Sequence, residues 1–161
     1  MINYIISIAI LIAPVLSYSG GAPKETCGDL TPRHRDFTTQ TAPPPYSLLV
    51  ETEAIAGQPL NIVLKGNKND DNIKGFIIQA RHNNNPVGKF VPGSLSQTLE
   101  CNLKDDTLTH RKIDKENINK IEAKWIPGAE LKGKTVEFVT TVVKQANVFW
   151  VKKLTKKVNI K

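Results

Sequence analysis

Residues 121–125, Ile-Glu-Ala-Lys-Trp, put Ile121, Ala123 and Trp125 on one side of an extended chain and Glu122 and Lys124 on the other. Side chains alternate across a β-strand with a period of two, so this is the signature of a strand with one face buried. The competing reading is a helix from Asp114 through Trp125, in which Lys115, Glu116, Asn117, Ile118 and Ile121 form an amphipathic turn; a loop entering a strand fits better. Outward from this segment, the apolar residues come in short runs separated by turn-forming clusters. Strands are predicted over 46–53, 60–65, 75–81, 99–103, 121–125, 136–144 and 148–157, with turns or loops at 56–59, 66–72, 83–88, 92–94 and 127–128. In 136–144, Val136, Phe138, Thr140 and Val142 alternate with Glu137, Val139, Thr141 and Val143, which predicts burial on both faces. Seven or more strands at this spacing suit an all-β sandwich.

The chain begins with an apolar run between Ile5 and Leu16, followed by Ser17-Tyr18-Ser19. That length suits the core of a signal peptide and is short for a membrane span of roughly 30 Å, and the small-x-small triplet places cleavage after Ser19. The n-region departs from the usual pattern in having no Lys or Arg. The alternative is a buried N-terminal helix. Residues 1–19 are therefore assigned as a signal peptide and 20–161 as one domain, large enough for a core of its own. Export to an oxidising compartment makes a disulfide between Cys27 and Cys101, the only cysteines, the default reading. Two free thiols or an intermolecular bond are the alternatives.

The formal net charge of +7 is unevenly distributed: residues 138–161 hold six lysines and no Asp or Glu, leaving 16 basic and 15 acidic residues elsewhere. If the last strand continues to the C-terminus, Lys153, Lys157 and Lys161 share one face with Thr155 and Asn159. Lys152 and Lys156 then share the other with Leu154, Val158 and Ile160. Such a cationic ladder attracts polyanions, and lysines also keep an edge strand from pairing with other chains. In an exported protein the matching polyanions are surface glycans, lipopolysaccharide, teichoic acids or sulfated polysaccharides, and not nucleic acid.

Motifs for chemistry are sparse. His34, His82 and His110 have no metal-ligand spacing, and His34 and His110 are expected to orient loops by hydrogen bonding. Asn69-Asp70-Asp71-Asn72 resembles half a calcium loop. The EF-hand register, however, puts Asn72 where glycine is required and Ile78 where the bidentate glutamate belongs, so a solvated turn is expected. There is no GxSxG. Trp125 and Trp150 lie in apolar strands beside Ile126 and Phe149 and are assigned to the core. No enzymatic activity, metal or cofactor is expected, and no N-x-[ST] sequon is present.

Several pieces in order resemble one family, the reeler (reelin N-terminal) domain, and within it the small secreted insect defence proteins. They are Gly21-Ala22-Pro23, Cys27, Pro32, His34, Gln40, Pro44-Pro45-Tyr46, Gly57, Gly75-Phe76-Ile77-Ile78-Gln79-Ala80-Arg81, Gly88 and Phe90. The order continues with Cys101, Thr109-His110, Lys124-Trp125, Val136-Glu137-Phe138 and Phe149-Trp150. The resemblance implies an immunoglobulin-like antiparallel β-sandwich of seven to nine strands, a Cys27–Cys101 bridge and a role in innate immunity, and it offers no catalytic residues. Related ferric-reductase-like proteins carry haem and transmembrane parts that this chain lacks, so redox chemistry is not carried over.

The resulting expectation is a secreted, monomeric antimicrobial or opsonising protein. It would bind anionic microbial glycoconjugates or heparin-like glycans through Lys152, Lys153, Lys156 and Lys157, with Arg33, Arg35, Arg111 and Lys112 joining if the fold brings them near. The alternative is an adhesion or matrix module for glycosaminoglycans or a protein receptor. A hydrolase acting on microbial polysaccharide is the third class.

Overall fold

The computed structural model describes residues 20–34, 37–112 and 117–161, so the proposed signal peptide lies outside the described residues. Among the described residues eleven strands run in chain order: β1 (Tyr46–Leu49), β2 (Glu53–Ala54), β3 (Leu60–Gly66), β4 (Gly75–His82), β5 (Asn85–Pro86), β6 (Lys89–Val91), β7 (Ser96–Leu99), β8 (Thr107–His110), β9 (Lys120–Ile126), β10 (Thr135–Gln145) and β11 (Val148–Ile160). They form a β-sandwich. One sheet has the order β1-β3-β9-β6; the other has β2-β11-β10-β4-β8-β7, with β5 paired to β4. Pairing is antiparallel throughout except for the short parallel contact of β2 with β11.

The segment 121–125 adopts the alternation expected of it. Ile121, Ala123 and Trp125 are buried while Glu122 and Lys124 are exposed, and the neighbouring β3 buries Leu60, Ile62 and Leu64 in the same way. The core lies between the sheets, where Trp125 meets the Phe138 ring edge-on at 5.1 Å and Phe90 meets it at 6.4 Å. Both tryptophans are core residues whose indole N–H groups are satisfied, Trp125 donating to the Val87 carbonyl at 3.1 Å and Trp150 to that of Ala42 at 3.0 Å. Edge-to-face ring pairs of this kind add to the stabilisation from their buried area.

The expected strand at 99–103 is displaced. Strand β7 ends at Leu99, and the backbone N–H groups of Cys101, Asn102 and Leu103 instead turn onto the fully buried carboxylate of Asp106, at 2.9, 2.7 and 2.6 Å. Three charge-assisted hydrogen bonds outcompete a ladder that has no partner strand at this point. The 69–72 turn also differs from expectation. Asp71 is buried, caps the Lys68 N–H at 3.0 Å and pairs with Lys144 at 3.1 Å, so one of the six C-terminal lysines serves the fold.

Strand β10 is buried on both faces, as its sequence predicts, for two unrelated reasons. Val136, Phe138 and Val142 point into the inter-sheet core. On the outer face, Val139 packs with Ile77 against Leu30, from a segment that crosses the sheet over residues 20–34. A disulfide between Cys27 and Cys101, with Cα atoms 5.4 Å apart, ties this segment to the turn after β7.

Candidate functional site

The outer face of the large sheet carries the features available for binding, and the crossing segment divides it. Strand β4, Gly75-Phe76-Ile77-Ile78-Gln79-Ala80-Arg81-His82, explains how. Phe76, Ile78 and Ala80 face the core, whereas Gly75, Ile77, Gln79 and Arg81 face outward toward the segment. Gln79, fully buried, donates to the Cys27 carbonyl at 3.1 Å and to the Thr107 hydroxyl at 3.0 Å. Arg81 donates to the Cys27 and Gly28 carbonyls at 3.2 and 2.8 Å and to the Gln79 amide oxygen at 2.7 Å. Burial lowers the Arg81 pKa from its usual value and Asp29 opposes that shift; an arginine starts so high that it stays charged. These polar groups satisfy backbone carbonyls that the disulfide-bearing segment would otherwise bury unpaired. Leu30, at the centre of the crossing, adopts φ +57° and is fully buried.

On the β11 side lies an open polar hollow of about 590 Å³, lined by Lys152, Thr155 and Lys157 together with Arg81, His82 and Glu137. Of the four lysines expected to contact anions, Lys152 and Lys157 line it, while Lys153 and Lys156 are exposed outside it. Lys152 is not on the face its sequence position predicts. The β10–β11 pairing slips between Thr140/Leu154 and Val142/Trp150, and in this bulge Lys152 adopts φ +52° with its N–H donating to the Thr141 hydroxyl at 3.0 Å. A β-bulge re-aims the side chains on its strand. Lys152 thereby joins Thr155 and Lys157, away from Lys156, which pairs across the ladder with Phe138. Glu137 sits between Lys157 and Arg81 in the register, so the hollow is not purely cationic. His82 donates from Nδ1 to the Thr135 carbonyl at 3.0 Å.

On the other side lies a cleft of about 310 Å³ under the crossing segment. Its floor comes from Gly75, Ile77 and Val143, its roof from Ala22, Pro23, Leu30 and Pro32. Arg33, His34, Lys74, His110 and Lys112 are also part of its lining, which among the described residues includes no Asp or Glu. His34 holds a loop as expected, whereas His110, itself in β8, bonds to strand β4 and not to a loop. The His34 Nδ1–H donates to the Ala146 carbonyl at 2.7 Å with its ring edge-on to Phe149, and His110 Nδ1 accepts the Phe76 N–H at 3.3 Å. Arg33 forms an ion pair with Asp29 at 3.2 Å and donates to the Glu25 carbonyl at 3.0 Å.

The additional basic residues named from sequence thus separate. Arg33 and Lys112 line the cleft, Arg111 lines neither depression, and Arg35 lies outside the described residues. Sequence reasoning missed Arg81, His82 and Lys74. Arg81 had a signal, a polar residue in register with Ile77 and Gln79 on one strand face; His82 and Lys74 had none. No group of three or more His, Cys, Asp or Glu among the described residues could hold a metal ion.

The Reeler domain family matches residues 25–161. The chain is similar over 99% of its own length and 99% of the relative's to Defense protein l(2)34Fc of Drosophila melanogaster, at 40% identity. It is similar to the Hdd11 defense protein of Hyphantria cunea at 35% identity over 89% of each chain. Among solved structures, the Reelin-N domain of F-spondin superposes with a TM-score of 0.58 at 18% identity, covering 78% of this chain and 92% of that one, which is a likeness of fold.

Proposed function

The chain belongs to the Reeler domain family, and on that premise we propose that it is a secreted, non-catalytic defence protein that captures anionic microbial surface polymers. The defence role rests on full-length similarity to proteins named for defence. The polymer-binding reading rests on one observation: the acid-free C-terminal strand β11 exposes Lys152, Lys153, Lys156 and Lys157, two of which converge with His82 on one hollow. Flexible, solvated ammonium groups suit the spaced charges of lipopolysaccharide, teichoic acid or heparin-like glycans better than a single shaped ligand. The disulfide and the absence of a helix long and apolar enough to span a membrane, among the described residues, fit an extracellular protein. Acting as a monomer, it would tag or kill by electrostatic capture with little change of fold.

The test is retention on heparin and on lipopolysaccharide, and pull-down on live Gram-negative, Gram-positive and yeast cells, each at two salt concentrations. Binding is expected to weaken steeply with salt. A double charge reversal, Lys153→Glu with Lys157→Glu, is expected to abolish retention; unchanged retention would discard β11 as the binding surface.

A further inference from the structure

The cleft beneath the crossing segment does not belong to the polymer-binding hollow and differs from it in chemistry. We infer that it is a binding site for a single-chain anionic amphiphile, an alkyl chain ending in a phosphate or carboxylate. Ile77 and Val143 give the floor, and Ala22, Pro23, Leu30 and Pro32 the opposite wall, so the interior suits a hydrocarbon chain. The lining adds Arg33 and Lys74 and, among the described residues, no acid, so the charged end that fits is an anion. Lys74 is exposed, and no described residue pairs with its ammonium group. Arg33 is already oriented by Asp29 and the Glu25 carbonyl. At about 310 Å³ the cleft lies at the small end of ligand pockets, roughly 300–1,000 Å³, which admits one chain and not a multi-acyl lipid.

The cleft is held open by the fold. Its roof is pinned at one end by the Ala22 N–H on the Thr109 hydroxyl at 2.9 Å and at the other by the buried Leu30. Between and beyond these points Pro23 and Pro32 fix φ, so the segment resists settling onto the sheet. In the floor, Gly75 leaves space that a side chain would take: a Cβ there would lie 3.2 Å from His110 Cε1 and 3.5 Å from Val143 Cβ.

Calorimetric titration of the purified protein with decyl phosphate, below its micelle concentration, tests the assignment. Binding is expected at one site per chain, weakened about tenfold for octyl phosphate because two buried methylenes are lost. Inorganic phosphate is expected to compete poorly; decanoate is expected to bind and decanol to bind more weakly. Lys74→Glu should weaken decyl phosphate about fivefold and leave decanol unaffected, while Ala146→Trp, at the exposed mouth, should weaken both alkyl ligands. Each variant is first matched to the parent in thermal unfolding, and Lys74→Gln replaces any that falls short. Inorganic phosphate binding as tightly as decyl phosphate would overturn the chain-binding part. Multiple sites insensitive to both variants would mean surface adsorption and overturn the whole.

Discussion

The cleft and the hollow lie on one face of one sheet, a few residues apart along β10, yet they are built on opposite terms. Thr141 and Val143 help line the first; Thr135, Glu137 and Val139 help line the second. Between them runs the crossing segment, held by Leu30 on Ile77 and Val139 and by Arg81 on the Cys27 and Gly28 carbonyls. The hollow takes both its lysines, Lys152 and Lys157, from the basic C-terminus, but Glu137 stands among its cations and its walls are polar. The cleft has as many lysines, Lys74 and Lys112, neither from that C-terminal run, and a lining without an acid among the described residues. The difference teaches that the local sign of charge depends on what shares the surface, and that a count of lysines along the sequence overstates one site and overlooks the other.

The largest expected effect comes from the disulfide. Replacing both Cys27 and Cys101 by Ser should cost about 2–5 kcal/mol in denaturant unfolding. The loss should fall first on the cleft, so decyl phosphate binding should disappear under conditions where heparin retention survives. Equal loss of both would mean that the two depressions are one cooperative unit.

Next in size is Arg81→Met. If Arg81 chiefly supports the crossing segment, stability should fall by about 1–3 kcal/mol, because the carbonyls it satisfies are left partly buried. A heparin defect with an unchanged unfolding midpoint would instead make Arg81 a ligand contact of the hollow. Glu137→Gln should act in the other direction, strengthening polyanion retention by about two- to fivefold at low salt and by nothing measurable at high salt. Decyl phosphate binding should not respond, since Glu137 is not in the cleft lining.

The smallest expected effect is on acid stability. Asp29 is held below its usual pKa: its desolvation raises it, but hydrogen bonds from Thr31 and the charge and hydrogen bonds of Arg33 outweigh that. Asp105 is also lowered, mainly by a hydrogen bond from Thr98 and then, against its desolvation, by Lys89. A carboxylate with a depressed folded pKa contributes stability above its unfolded value, and that contribution is lost as pH falls through the folded value. Stability should therefore decline from about pH 4 downward. Asp29→Asn should flatten that decline and loosen Arg33 at the cleft rim, which unfolding at pH 6 and pH 3 would reveal.

Strands β3, β4, β9, β10 and β11 were legible because each carries an apolar run long enough to establish its period. The segments 89–91 and 107–110 were not. Three or four residues cannot define a period, and Thr107, Leu108, Thr109 and His110 are all buried, so no alternation exists to be found. Both faces of β8 are covered, with Leu108 in the core and Thr109 beneath the crossing segment. Of the binding surfaces, the basic strand was visible as composition. The cleft was not, since its lining runs from Gly21 to Ala146 and comes together only when the segment lies across the sheet.

By itself, the sequence determined the all-β class, the core face of most strands, the cysteine pair and the placement of nearly all excess charge in 138–161. Those properties follow from local periodicity and composition, which need no knowledge of partners. Tertiary structure alone decided that Lys152 turns to the side of Lys157, that Asp71 and Asp106 are buried supports, and that Gln79 and Arg81 hold the disulfide-bearing segment over the sheet. Each depends on a contact between residues far apart in the chain or on a local bulge in the strand pairing, and a pattern of period two carries no trace of either.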